Sequence, residues 1–152
     1  MLFPVSLPWR YASFAELTVG ERYRILALRQ RVFVVEQACA YLDADGWDRH
    51  ADHLWLEDGD AAVACLRIFA PGVKYTEACL GRIVTAPEKR GTGLGHALVS
   101  EGLARIEEAH GKVPVRIGAQ KYLERFYNQH GFARAGDDYD EDGIPHLEML
   151  RR

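Results

Sequence analysis

The sequence has few cysteines, no long hydrophobic run and no excess of positive charge, and each absence excludes a class of protein. Its three cysteines, Cys39, Cys65 and Cys79, include no CxxC pair, which indicates free thiols in a reducing cytoplasm. No apolar run is long enough to span a bilayer, so we expect no membrane association. The net charge of −3 argues against a nucleic-acid partner, which would require a basic face.

The first nine residues also lack the features of a signal peptide, because no basic segment precedes an apolar core there. What the sequence does contain is typical of a globular protein. Of its 152 residues, 48% are hydrophobic and 27% are charged, which is enough apolar material for one core. We find no repeat and no linker, and we therefore predict a single domain over residues 1–152.

Hydrophobic patterning predicts strands that alternate with helices. The expected strands cover residues 9–14, 53–57, 61–70, 79–86, 113–118, a short segment at 132, and 145–150; the expected helices cover 18–34, 94–110 and 120–130. Asp58-Gly59-Asp60 is a tight-turn signal that joins two of these strands in a hairpin. Segments 36–51 and 137–143 are polar and are expected to be loops. This order predicts one mixed sheet with helices on its faces, an α/β or α+β domain.

A glycine-rich segment, Arg90-Gly91-Thr92-Gly93-Leu94-Gly95, follows one of the strands and begins a helix. The first turn of a helix has unpaired N–H groups and a positive dipole end, and glycines let an anion approach that backbone closely. The segment therefore suits a phosphate or pyrophosphate. It lacks the spacing of a triphosphate P-loop and the third glycine of a dinucleotide loop. A turn that uses glycines only for its geometry is the alternative interpretation.

This segment matches the pattern R/Q-x-x-G-x-G/A at every specified position, and that pattern is the acetyl-CoA pyrophosphate loop of the GNAT acetyltransferases. The element order resembles the fold of that superfamily over essentially the whole chain. Residues 28–37, Leu-Arg-Gln-Arg-Val-Phe-Val-Val-Glu-Gln, and residues 142–146, Asp-Gly-Ile-Pro-His, resemble the ElaA group within it. The resemblance implies a mostly antiparallel sheet of about six or seven strands flanked by helices. It also implies acetyl transfer from acetyl-CoA to a primary amine by direct attack in a ternary complex.

The resemblance further implies which residues bind acetyl-CoA, the co-substrate. The pyrophosphate would be held by backbone N–H groups of Gly91, Thr92, Gly93, Leu94 and Gly95, with positive charge from Arg90. The pantetheine arm would pair with the preceding strand at Ile83, Val84 and Thr85, in the manner of strand addition, and Asn128 would contact the same arm. A backbone N–H near Val84 would stabilise the oxyanion.

The implied acid is Tyr127, which lies in a segment that resembles the F-Y-x-x-x-G-F motif of the family. A phenol can protonate the leaving thiolate, and Tyr122 is the competing candidate. The strand before the loop carries no acidic residue, so the general base must lie elsewhere. His146 and Glu36 are the two candidates, and His146 would lie at the start of the last strand, near where that strand splays from its neighbour. Each also has a structural interpretation, because the histidine would hold loop 137–143 and the glutamate would brace the first helix.

Two groups of residues favour acceptors of opposite charge, so the sequence leaves the charge of the acceptor open. The arginines would suit a carboxylate or phosphate if their side chains converge; they are Arg29, Arg31, Arg82 and Arg116. The acidic run at 137–142 would instead attract a cationic amine.

The remaining expectations concern metals, partners and alternative functions. Acids and histidines between Asp48 and His53 lack the spacing of a metal site, and we predict no metal. The acceptor would be a small-molecule or peptide amine, and a homodimer is consistent with the family. Two other functions stay open, namely a non-catalytic sensor that binds acyl-CoA and a synthase of an acyl-homoserine-lactone-like signal.

Overall fold

The computed structural model describes residues 7–152. The expectation that the first nine residues are not a signal peptide therefore lies partly outside the described residues, because residues 1–6 are not among them. The regular elements are β1 (Arg10–Ser13), α1 (Val19–Arg29), β2 (Asp52–Asp58), β3 (Ala61–Phe69), β4 (Ala78–Thr85), α2 (Leu94–His110), β5 (Val115–Gln120), α3 (Glu124–Asn128), β6 (Ala133–Arg134), β7 (Tyr139–Glu141) and β8 (Ile144–Arg151). A π-helical segment, Gln30–Glu36, follows α1, and short 3₁₀ turns cover Asp48–His50, Pro87–Lys89 and Lys121–Leu123.

The strands form one mixed sheet in the order β1-β2-β3-β4-β5-β8-β6, and β7 pairs with β8 beside β6. All pairs are antiparallel except β4 with β5. The predicted fold class is confirmed. Strand β7 was not predicted, because it lies in segment 137–143, which we expected to be a loop. Asp142 and Gly143 both have positive φ, at 53° and 81°, which is the two-residue turn that closes a hairpin between β7 and β8.

Two of the three predicted helices differ from the observed ones. The α-helical geometry of the first ends at Arg29 and continues as the π-helical segment to Glu36. The helix expected at 120–130 is reduced to α3, because β5 continues to Gln120, where it still pairs with β8 at His146. Strand pairing holds Gln120 in extended conformation, a 3₁₀ turn covers Lys121–Leu123, and the α-helical geometry ends at Asn128.

Helices α1 and α2 cover opposite faces of the sheet. Successive strand residues point to opposite faces, and in β3 the side chain of Leu66 meets α2 while that of Arg67 lies on the α1 side. Gly102 of α2 allows close packing, because a Cβ there would lie 3.0 Å from Leu66. No helix within residues 7–152 is long and apolar enough to cross a membrane.

A buried network of charges fixes the segment between the π-helical segment and β2. Arg29 is 1% exposed and donates through Nε to Asp43 at 2.8 Å and through Nη1 to Asp48 at 2.7 Å. Arg67 donates to Asp45 at 2.8 Å and to Asp48 at 3.1 Å. Burial opposes the ionisation of Asp48, but hydrogen bonding and charge from Arg29 and Arg67 outweigh it and lower its pKa. This network holds one wall of the site described next.

Candidate functional site

Strands β4 and β5 separate after only two paired positions, Ala78 with Val115 and Cys79 with Arg116. Beyond them, the backbone polar groups on the facing edges of both strands have no strand partner, which leaves an open slot in the sheet. A β-bulge places two residues of β4, Arg82 and Ile83, opposite one residue of β3. Arg82 has φ of 47° there, and bulges of this kind bend a strand away from its neighbour.

The slot opens into a cavity of about 1010 Å³ that runs from the glycine-rich segment to the start of β8. Most of the predicted site residues line it: Glu36, Ile83, Val84, Thr85, Arg90, Gly91, Gly93, Leu94, Gly95, Tyr127 and His146. Thr92 and Asn128 are not among the lining residues. The hydroxyl of Thr92 donates to the carbonyl of Lys89 at 2.5 Å, and Asn128 is exposed at the end of α3.

The start of α2 is built to accept an anion. Gly91 and Gly93 have φ of 75° and 87°, a region that glycine adopts without strain. Gly93 is the N-cap residue, and no side chain caps the helix or places an acid in its first turn. The first N–H groups of the 17-residue helix and its positive dipole end therefore face the cavity without a side-chain partner.

Arg90 and Glu36 form an ion pair across the cavity from the glycine-rich segment to the end of the π-helical segment. The guanidinium donates to both carboxylate oxygens, at 2.8 and 2.5 Å. The hydrogen bond from Arg90 lowers the pKa of Glu36, so this carboxylate is ionised at neutral pH and is already engaged.

Tyr127 lies on α3 at the inner side of the cavity and is 5% exposed. Its ring packs edge-on against Phe126 and Phe132, with centroids 5.1 and 6.0 Å apart. Burial raises the pKa of Tyr127, so the phenol stays protonated and remains a donor. Within residues 7–152 its hydroxyl has no hydrogen-bond partner, whereas Tyr122, the competing candidate, lines the same cavity but is 73% exposed.

His146 lines the same cavity from the start of β8, where it pairs with Gln120 of β5. Its Nδ1 is 2.7 Å from the carbonyl of Ile144, its Nε2 is 3.3 Å from Oε2 of Glu141, and its ring stacks on Tyr139 at 5.8 Å. We expected the last strand to splay from its neighbour near this histidine, and that was wrong. β8 pairs with β5 through His146, and the opening lies between β4 and β5 because β4 carries the bulge.

The four arginines considered as an anion-binding cluster do not form one, because Arg29 and Arg82 meet at the carboxylate of Asp43 and the other two pair with different acids. Arg29 is buried in the charge network, and Arg31 pairs on the surface with Glu88 at 2.7 Å. Arg82 pairs with Asp43 at 2.7 Å, and Arg116 pairs with Glu77 at 3.1 Å.

Some lining residues had no sequence signal that marked them as part of a site. Gln37 and Gln120 exchange hydrogen bonds of 3.3 Å across the cavity. Burial raises the pKa of Tyr41 to about 12, and its hydroxyl lies 3.2 Å from Asp43. In the sequence, Glu141 is marked only as part of an acidic run. The turn signal Asp142-Gly143 could have placed it in a hairpin beside His146.

The acids and histidines between Asp48 and His53 have structural partners. Asp48 belongs to the charge network, and Nε2 of His53 lies 2.9 Å from the carbonyl of Asp48. In the part of the chain that the structure describes, no group of three His, Cys, Asp or Glu residues could hold a metal ion.

Comparisons with known proteins identify this arrangement. The family model described as "Acetyltransferase (GNAT) domain" matches residues 33–152. The UPF0039 protein Rv2851c of Mycobacterium tuberculosis is 46% identical over 142 residues, covering 90% of this chain and 87% of that protein. An acyl-CoA N-acyltransferase structure from Pseudomonas aeruginosa has a TM-score of 0.91 at 36% identity, covering 96% of this chain and 100% of that one. The structure of Escherichia coli ElaA has a TM-score of 0.88 at 36% identity, with coverages of 95% and 98%. The chain therefore belongs to the GNAT acetyltransferases, in the group that contains ElaA.

Proposed function

We propose that the protein is an N-acetyltransferase that moves an acetyl group from acetyl-CoA to a primary amine by direct attack in a ternary complex. The observation that carries the proposal is the slot between β4 and β5, which meets the uncapped start of α2 in one cavity. An extended thioester arm fits an open strand edge, and its pyrophosphate fits a helix start. The Pseudomonas aeruginosa relative is named as an acyl-CoA N-acyltransferase, which supports the same donor here.

The proposed binding of acetyl-CoA uses backbone more than side chains. The pyrophosphate would lie on the N–H groups from Gly91 to Gly95, and the pantetheine arm would follow Ile83 to Thr85 into the slot. Arg90 would meet the phosphates by exchanging its bond to Glu36 for one to the ligand. Asn128 and the side chain of Thr92 contribute least to this proposal, because neither lines the cavity.

The chemistry starts when the acceptor ammonium gives one proton to a base and becomes a neutral amine. The amine nitrogen then attacks the thioester carbon, and a backbone N–H near Val84 stabilises the oxyanion. Collapse forms the amide and breaks the C–S bond, and Tyr127 donates its proton to the leaving thiolate. The nitrogen loses its second proton, which is returned to Tyr127 through solvent.

We propose His146 rather than Glu36 as the base. The carboxylate of Glu36 is occupied by two hydrogen bonds from Arg90, and its lowered pKa makes it a weak proton acceptor. His146 lines the cavity, and because Nδ1 is committed to the carbonyl of Ile144, Nε2 is the nitrogen that can accept a proton. Histidine is also the side chain most often used as a general base.

Two alternatives make different demands on the same cavity. A sensor that only binds acyl-CoA needs neither a proton donor for the thiolate nor a base for the acceptor, whereas Tyr127 and His146 occupy one cavity here. A synthase of an acyl-homoserine-lactone-like signal would prefer a long-chain acyl donor. We further propose the cytoplasm as the site of action, because Cys39, Cys65 and Cys79 are free thiols.

The proposal is tested by two measurements on one sample, thermal unfolding with and without acetyl-CoA and then thiol release with a panel of amines. Ligand at one hundred times its Kd should stabilise the native protein by about 2.7 kcal/mol. We expect a raised Tm and amine-dependent thiol release, with octanoyl-CoA as a poorer donor.

Each other result has a definite meaning. No change in Tm at saturating acetyl-CoA would overturn the assignment of the cavity. A raised Tm without thiol release from any amine would favour the sensor, and faster release from octanoyl-CoA would favour the signal synthase.

A further inference from the structure

Among the residues that the structure describes, no arginine outside the glycine-rich segment offers an unpaired guanidinium to an anionic acceptor in the cavity. Arg82, which lines it, pairs with Asp43 and with Asp45 at 3.2 Å. Lys74 also lines it, but its ammonium lies 5.5 to 5.8 Å from the ring centroids of three aromatic residues. A cation held over ring faces is partly satisfied there.

The acidic run at 137–142 is divided by the fold into structural and cavity-facing members. Asp138 is held by Lys121 and Arg134, and Asp140 accepts the backbone N–H of Gly143 at 3.1 Å. Glu141 and Asp142 instead line the cavity. Glu141 is 58% exposed in its side chain and reaches within 3.3 Å of His146, whose own side chain is 9% exposed.

The hydrogen bond at Nδ1 decides what the other ring nitrogen of His146 can do. A carbonyl oxygen only accepts, so Nδ1 must carry the ring proton that it donates to Ile144. In the neutral ring, Nε2 is then an acceptor, and it faces a carboxylate oxygen that is also an acceptor. Two acceptors 3.3 Å apart can both accept from one donor group, and the ammonium of a ligand has enough N–H groups to donate to both.

We propose that Glu141 binds the ammonium group of the acceptor beside Nε2 of His146, and that the acceptor is a primary alkylamine without an anionic group next to its nitrogen. The inference rests on the proposed transferase function. One N–H of the ammonium donates to the Glu141 carboxylate and a second donates to Nε2. Asp142 adds negative charge at the same end of the cavity.

This arrangement also accounts for the proton at the first step. The ammonium transfers one proton to Nε2, which leaves a neutral amine and an imidazolium. Glu141 then pairs with the imidazolium at the distance already present. The amine keeps its lone pair for the thioester carbon, and no further reactant is needed.

Pentylamine and norleucine test the inference, because they differ by one carboxylate next to the amine. We expect the wild-type protein to acetylate pentylamine with a kcat/KM at least about tenfold higher than that for norleucine, since the norleucine carboxylate would lie unpaired beside two acidic residues, and an unpaired charged group costs that much or more. Glu141→Gln should raise the KM for pentylamine about tenfold, with an unchanged Kd for acetyl-CoA. Glu141→Lys should reverse the preference.

Asp137→Asn is the matched control, because it removes the same charge from the same run at an exposed residue that does not line the cavity. It should leave the KM for pentylamine and the ratio of the two amines unchanged. Equal effects of the two neutral variants, or a Glu141→Lys variant that still prefers pentylamine, would overturn the inference. So would a wild-type protein that acetylates other amines but not pentylamine. No thiol release from any amine would instead overturn the proposed function on which it rests.

Discussion

At the scale of single residues, the arrangement around Tyr127 separates its possible catalytic role from its role in packing. The ring contributes to the core through Phe126 and Phe132, whereas the hydroxyl has no partner within residues 7–152. Because only the hydroxyl can donate a proton, a change that removes it and keeps the ring tests the chemistry alone.

We predict that Tyr127→Phe lowers kcat about 100-fold, which is the lower end of what a general acid contributes, and leaves Tm and the Kd for acetyl-CoA close to wild type. Steady-state kinetics and thermal unfolding check both parts. Tyr122→Phe, an exposed tyrosine of the same cavity, is the control and should retain wild-type kcat. A normal kcat in Tyr127→Phe, or a loss in Tyr122→Phe instead, would reassign the acid.

The residues of the site could be predicted from the sequence only where a local motif marks them. The glycine-rich segment, Tyr127 and His146 lie in such motifs, and the structure brings them to one cavity. Gln37 and Gln120 meet across 83 positions of chain, and nothing local to either residue signals that contact. The pairing of Glu141 with His146 depends on a hairpin that the acidic composition of its segment concealed.

At the scale of elements, α2 was the best predicted, and its observed bounds are those expected from the sequence. Gly93 and Gly111 flank its 17 residues with positive φ, and the apolar face between them is regular. The π-helical segment was not foreseen, because one extra residue per turn changes the hydrophobic period too little to be recognised over seven residues.

The two glycines that flank α2, Gly93 and Gly111, provide matched variants, since they lie about 27 Å apart along the helix axis. Gly93→Ala forces a side chain into a left-handed conformation that costs roughly 1–2 kcal/mol, and it tilts the N–H groups that face the anion site. We predict an acetyl-CoA Kd about tenfold higher, measured by calorimetry. Gly111→Ala, strained at the other end, should lower Tm at least as much without changing Kd. Equal Kd values in both variants would mean that the helix start does not bind the cofactor.

At the scale of the whole molecule, the segment 37–51 is held to the sheet by charge. Asp43, Asp45 and Asp48 were expected to be loop residues because of their polarity. The burial of Asp43 and Asp48 could not be inferred without knowing that Arg29 and Arg67 lie opposite this segment. Burial opposes the ionisation of Asp45, but hydrogen bonds and charge from Arg67 and the charge of Arg82 lower its pKa. The wall of the cavity that faces the acceptor therefore depends on ion pairs as well as on apolar packing.

Removing one member of this network should cost far more than removing a similar surface charge. Arg29→Met leaves the buried carboxylates of Asp43 and Asp48 with one arginine each instead of two, so we predict a loss of about 3–5 kcal/mol in the free energy of unfolding by urea at pH 7. Arg31→Met removes an exposed pair two residues away and should change that free energy only slightly. Similar losses in both variants would mean that the network adds no stability beyond that of a surface ion pair.

The Arg29→Met variant should also change how the free energy of unfolding depends on pH. In the wild-type protein the pKa of Asp48 is lowered, so its contribution is complete above the ordinary carboxyl value near ~3.9 and is lost as the pH falls below it. Without Arg29 the pKa of Asp48 rises, because only Arg67 still compensates its charge. The carboxylate of the variant is therefore protonated at a higher pH than that of the wild type. The difference in unfolding free energy between wild type and Arg29→Met should therefore narrow between pH 7 and pH 4, as measured by urea titration. A constant or widening difference would show that Arg29 stabilises the fold by packing, since packing does not titrate.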